Sequence, residues 1–176
     1  MSYPQRVAIC WPARESERKQ DVFDILLYLF ENYMYDEVEL EHDRDSLQRE
    51  LLDAGFRSNE IGKAFDWLEG LGAVDYDGAV PLKSEQQSFR IYSDEECTKL
   101  DTESRGFLLF LEQMGVLDHA TREMVIDRVM ALESEEVDLE QLKWVILMVL
   151  FNQPGQEAAV AWMEDLVLDE IIGQLH

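Results

Sequence analysis

Eight apolar residues run without interruption from Trp144 to Phe151, inside the stretch DLEQLKWVILMVLFN from Asp138 to Asn152. A helix of that composition is apolar on every side, so other elements must wrap it. The run falls far short of the roughly 20 apolar residues that span a bilayer, and Lys143 stands at its edge. It therefore reads as a core helix and not as a membrane span. Asp138 and Gln141 have the spacing of an N-cap and its reciprocal partner, and Pro154-Gly155 stops the helix on the other side.

The residues around it supply the wrapping. Phe107, Phe110, Leu111 and Met114 recur at helical spacing and are closed by Gly115. Val125, Ile126, Val129, Met130 and Leu132 define a second amphipathic helix, starting near Asp118 or Thr121. A third carries Ala159, Trp162, Met163, Leu166 and Val167. Three amphipathic helices enclosing an apolar one predict a helical bundle over residues 93–176, with Trp144 and Trp162 in its core. At its front, Ser93 and Glu96 form a capping box that opens a short helix to Asp101.

The preceding seventy residues follow a different plan. Phe23, Leu27, Phe30 and Met34 repeat along a largely buried first helix. Asp45 and Gln48 have N-cap spacing for a second helix, which buries Leu47, Leu51 and Leu52 and ends at Gly55, with Phe56 packing back over the turn. Ser58 caps a third, whose stripe of Ile61, Ala64, Phe65 and Leu68 ends at Gly70 to Gly72. The β-branched and aromatic content of Ala73 to Tyr76 and Ser88 to Tyr92, with Asp77-Gly78 and Pro81 between them, predicts two short strands. The expected fold is thus mostly α. A winged-helix-like N-terminal unit with a small two-stranded β-hairpin occupies residues 22–92, and the helical bundle follows at 93–176. The two are able to pack as one domain. Residues 1–21, broken by Pro4 and Pro12 and of mixed charge, are expected to form a disordered extension.

Charge decides which partners are compatible with this fold. The 176-residue chain holds 38 Asp and Glu against 15 Lys and Arg, a formal net charge of -23. With 47% hydrophobic residues the chain still has the means to fold, so the excess decorates a globular surface. Such a surface repels phosphate backbones and attracts basic patches on proteins. Cys10 and Cys97 are isolated from each other and from any C-x-x-C pair, which suits a reducing cytosol, and Val7 to Trp11 is too short for the apolar region of an export signal. A cytoplasmic location is expected.

No reaction follows from the residues. His42, His119 and His176 are scattered and no Cys/His cluster accompanies them, so no metal site is expected. Asp75-x-Asp77-Gly78 opens like a calcium loop but lacks its later ligands. There is no G-x-S-x-G elbow and no phosphate-cradling loop, and Gly70-x-Gly72 is a helix stop. The acidic clusters at Glu37, Glu39, Glu41, Asp43 and at Glu133, Glu135, Glu136, Asp138 sit in polar connectors, where nothing separates the pKa values of neighbours. Cys97 lies beside Glu95 and Glu96, which oppose a thiolate. Catalytic and cofactor residues are accordingly expected to be absent. The third helix, taken as a recognition helix, carries Lys63 against Glu60, Asp66 and Glu69, the wrong sign for phosphates. Its outward residues Glu60, Lys63 and Trp67 are the candidates for contacting a protein partner, with packing of Trp67 against the wing or the second unit as the alternative. Arg105 reads as an intramolecular ion-pair partner.

Several blocks together resemble the Smg family of bacterial proteins. They are FDILLYLFENY from Phe23, LLDAGF from Leu51, DWLEGL from Asp66, FRIYSDEEC from Phe89, RGFLLFLEQ from Arg105, TREMVIDRVMAL from Thr121 and LKWVILMVLFN from Leu142. The resemblance covers about Val22 to His176. Residues 1–21 lie outside it and are expected to be either an extension or the product of an upstream start. The resemblance implies a cytoplasmic protein, often encoded beside a DNA-processing protein and a topoisomerase-like zinc protein, and it carries no catalytic residue or cofactor onto these positions. The expected function is non-enzymatic binding of a protein partner with a basic surface, as an adaptor or modulator linked to DNA or RNA transactions. The alternative is a winged-helix nucleic-acid-binding protein.

Overall fold

The computed structural model describes residues 21–34, 43–72 and 90–174. Among these the chain forms eight α-helices: α1 (Val22–Leu29), α2 (Arg44–Asp53), α3 (Ser58–Gly72), α4 (Asp94–Lys99), α5 (Thr102–Gln113), α6 (His119–Met130), α7 (Leu139–Phe151) and α8 (Glu157–Gln174). The apolar run is α7, and every residue from Leu142 to Leu150 is buried. Its start is fixed by the expected capping box. The Asp138 carboxylate accepts from the Gln141 amide at 2.8 Å, and the Asp138 amide donates to the Gln141 side chain at 3.2 Å. Helices α5, α6 and α8 pack on it, so the wrapping demanded by an all-apolar helix is met by the amphipathic elements around it.

The N-terminal helices join this core. α1 and α2 both pack on α3, and α3 packs on α6. Helix α1 continues as a π-helical turn, Phe30–Met34. The Asn32 side chain donates to the Tyr28 carbonyl at 2.7 Å, occupying the acceptor that the Asn32 amide would use in an α-helix. The turn carries Phe30, fully buried, into edge-on contact with Trp144 at 6.0 Å and Phe151 at 5.5 Å. Edge-to-face aromatic pairs at such separations add about 0.5–1.5 kcal/mol to the gain from burial.

Most helix termini follow the sequence signals, but Ser58, expected to cap α3, is its first helical residue, and Gly70 to Gly72, expected to stop it, lie within its last turn. Ser93 and Glu96 form the expected capping box on α4, while Asp101 and Asp118 cap α5 and α6 through the Ser104 and Thr121 amides. Helix α2 begins at Arg44, so Asp45 lies in its first turn and not at its cap. Gly55 takes φ +96°, and the Phe56 amide reaches back to the Leu51 carbonyl at 3.0 Å, closing α2 with a left-handed residue. The Phe56 ring then meets Tyr28 at 5.6 Å.

The winged-helix-like unit with its two-stranded β-hairpin is corrected. Among the described residues there is no strand, and the one β-type pairing is an isolated parallel bridge between Leu100 and Val137. Arg90 to Tyr92, the described end of the second expected strand, is irregular. The aromatic and basic content that imitated a strand is used in packing. The Arg90 guanidinium binds Glu96 and Glu123, and the Tyr92 ring lies beneath both Arg90 and Arg105, at 4.5 and 5.8 Å. Ala73 to Tyr76 and Ser88 to Phe89 lie outside the described residues, as do residues 1–20.

Candidate protein-interaction surface

Helix α3 is buried along more than one face. Ile61, Ala64 and Phe65 are turned inward as their spacing predicts, but Trp67 is also covered, with 4% of its surface exposed. It packs on α6, where its indole N–H donates to the Arg128 carbonyl at 2.8 Å and Arg128 Nη1 returns a bond to the Trp67 carbonyl at 3.2 Å. Gly70 makes room for this exchange, because a Cβ there would collide with the Arg128 guanidinium. Lys63 bridges Glu60 at 3.4 Å and Glu133 at 2.6 Å. Glu60, Lys63 and Trp67 therefore share the side of α3 that faces α6 and the connector after it, and only the charged pair reaches solvent.

The C-terminus of α6 shows why Trp67 is held there. The last carbonyls of a helix have no partner within it. That of Asp127 accepts from the Ala131 amide, that of Arg128 from the Trp67 indole, and that of Val129 from the Leu132 amide. Lys99, buried at 8% exposure, donates to the carbonyls of Met130 and Leu132, and burial pushes its ammonium below the usual lysine range. A cation at this end also opposes the helix dipole favourably.

Among the described residues, most of the positive charge is occupied internally. Each described lysine, and each described arginine except Arg49 and Arg57, holds a carboxylate, a carbonyl or another side chain of the chain. Arg122, 3% exposed, binds Glu112 at 2.5 Å, Glu123 at 2.8 Å and His119 Nδ1 at 2.7 Å. Arg105, expected in an ion pair, instead donates to Cys97 Sγ at 2.9 Å and to the Thr102 hydroxyl at 3.3 Å. The acidic connector is partly structural as well, since Glu133 meets Lys63 and Asp138 caps α7. Glu37, Glu39 and Glu41, with Asp75, Asp77, His42 and His176, lie outside the described residues.

A pH dependence follows from Arg90. Its guanidinium grips Glu96 through two bonds, at 2.7 and 2.9 Å, and this contact, with the Ser93 cap, brings the Glu96 carboxyl down to about 2. A depressed folded-state pKa means that the stabilisation is complete above the ordinary value of 4.5 and is lost as pH falls towards 2. Urea melts of the wild type should therefore lose midpoint across that window, and Glu96→Gln should flatten this part of the loss while lowering the midpoint at neutral pH.

Helix α5 presents what α3 conceals. Ser104, Leu108 and Leu111 form its buried face, each with no exposed surface. Phe110 and Met114, expected in the core, are 44% and 59% exposed, and Leu109 beside them is 48% exposed. The helical period is as predicted, but the face is rotated by about one residue. Phe110 stacks on Phe107 at 6.4 Å and meets Trp162 of α8 at 6.3 Å, so Trp162 is only half-buried while Trp144 lies in the core. Gly106, one turn before Phe110, is exposed, with nothing near the position of a Cβ. Glycine inside a helix costs about 0.5–1 kcal/mol relative to alanine, so Gly106→Ala should raise the melting temperature by a few degrees.

The family model described as "Protein of unknown function (DUF494)" matches residues 22–176. "Protein Smg homolog" of Nitrosococcus oceani is 61% identical over 158 residues, covering 90% of this chain and 99% of the relative. The chain belongs to the Smg family. Similar Smg homologs include that of Alkalilimnicola ehrlichii, 54% identical over 158 residues with the same coverage, and that of Shewanella piezotolerans, 56% identical over 156 residues, covering 88% of this chain and 99% of the relative. No solved structure matches. Among the described residues, no group of three or more His, Cys, Asp or Glu is placed to hold a metal ion, and no helix is long and apolar enough to cross a membrane.

Proposed function

We propose that this member of the Smg family acts by binding and not by catalysis, as a cytoplasmic adaptor or modulator that engages a protein with a basic surface. The observation that carries this reading is the disposition of charge. Among the described residues the cations are largely occupied within the fold, and the full sequence has 23 more acidic than basic side chains. A surface with that surplus steers basic proteins towards it and repels nucleic-acid backbones. The DNA- or RNA-linked setting is the one that the family resemblance implies, with the contact made through a protein of that pathway. Cross-linking mass spectrometry on the endogenous protein over a salt series tests the reading. Partners rich in surface Lys and Arg should be recovered and should be lost as salt shortens the screening length from ~8 Å towards ~3 Å. A partner profile indifferent to salt overturns it, as does retention of the pure protein on DNA or RNA at low salt.

A further inference from the structure

The exposed apolar residues of α5 and the half-buried indole of α8 form one continuous ridge. Gly106, Phe110 and Met114 succeed one another at i, i+4 and i+8, about 12 Å of helix at 1.5 Å per residue. Leu109 widens the ridge on one side, and Trp162 joins it through the Phe110 ring at 6.3 Å. An aromatic and methionine surface of this kind is costly to leave in water and is a common mark of a protein-binding face. At Gly106 the helix backbone is open to close approach by another chain.

The charge around the ridge selects the occupant. From Trp144 to the C-terminus the sequence has five acidic residues and no Lys or Arg. Glu103, one helical turn before Gly106, is exposed, as is Asp165 on α8, three residues from Trp162. Two copies meeting through this face would set one net acidic α8 against another. A cationic chain with an apolar side meets the ridge and its rim together.

We propose that the α5–α8 ridge of Leu109, Phe110, Met114 and Trp162 docks a basic amphipathic helix of a protein partner. The apolar side of that helix lies along Phe110 and Met114, and its Lys and Arg residues reach Glu103 and Asp165. The partner is recognised through the apolar face of its amphipathic helix, with apolar anchors supplying affinity and flanking charges supplying orientation and rate. The proposal rests on the reading that the protein works by binding basic partners, and it assigns that binding to one surface.

The test uses the full chain and three fluorescein-labelled peptides: an amphipathic Leu–Lys helix, a Ser–Lys peptide of equal charge, and a Leu–Glu helix. Anisotropy at low salt should show the Leu–Lys peptide binding at least about tenfold more tightly than either other. Phe110→Asp combined with Met114→Asp should weaken it by about tenfold or more, ~1.4 kcal/mol. Gly106→Lys should also weaken it, by placing a cation on the ridge, while leaving the helix at least as stable as the wild type. This variant separates loss of docking from loss of fold. If the Ser–Lys peptide binds as tightly and the variants change nothing, the ridge is not the site and only the basic-partner reading survives. If neither cationic peptide binds, both readings fall. Tight binding of the Leu–Glu helix overturns the charge argument. A wild-type dimer by light scattering that Gly106→Lys abolishes makes the occupant a second copy. A zero-length cross-link within the monomer from Lys19 to a carboxylate of α5 or α8 makes it the chain's own N-terminal segment. Either result overturns the proposal.

Discussion

Ile146→Asp is expected to abolish the cooperative thermal transition and leave the protein aggregated or collapsed. Ile146 has no exposed surface and sits mid-way along α7, with buried residues on both sides of it in sequence. Truncating a buried isoleucine alone costs about 2–5 kcal/mol. An aspartate adds a charge one helical turn from Lys143, a cation already engaged with Glu140 and lying over the Phe107 ring. An unpaired buried charge costs several kcal/mol more, and the sum is comparable to the ~5–15 kcal/mol that holds an ordinary domain folded. Ile146→Val, which removes one methylene, should cost only about 0.5–1.5 kcal/mol and keep a sharp transition. The comparison is made by circular dichroism melts of the two variants. A soluble Ile146→Asp protein with a wild-type melt would mean that α7 is not the axis of the bundle.

The same helix shows why part of this fold is legible in the sequence. An uninterrupted apolar run has one physical solution in water, and the caps at Asp138 and Ser93 are local hydrogen bonds whose donors and acceptors lie three residues apart. The exposed ridge is harder to read, because a helical stripe gives a period but fixes its phase only to within a residue. Phe110 and Leu111 are neighbours with equal claim to the core, and the packing of α5 on α6 and α7 leaves Leu111 buried and Phe110 exposed. The hairpin failed for another reason. Arg90 and Tyr92 have strand-like composition, yet composition cannot register the pull of Glu96 and Glu123 on the guanidinium, which comes from two other helices. The Glu60, Lys63 and Trp67 group came from a helical wheel with one buried stripe, and for Trp67 it is the alternative, packing on the second unit, that the structure shows. What the wheel could not show is which element covers the second stripe, and it is α6.

That second buried face sets the other large effect. Trp67→Ala should lower stability by about 3–5 kcal/mol, the usual cost of emptying a buried aromatic site. It also strips the Arg128 carbonyl of its donor at the end of α6, where no backbone amide stands in, and an orphaned buried acceptor adds roughly 1–3 kcal/mol. For a chain of this size each kcal/mol moves the melting temperature by about 2–4 °C, so a fall on the order of 10–20 °C is expected. Trp67→Phe separates the two contributions, keeping most of the ring volume while removing the indole N–H, and should fall by only a few degrees. If Trp67→Ala instead melts like the wild type, the α3–α6 contact carries no stability and Trp67 is free to serve a partner. With the expected fall, any loss of partner binding in Trp67→Ala reports a disturbed α6, whereas a loss in Gly106→Lys at full stability reports the surface of α5 itself.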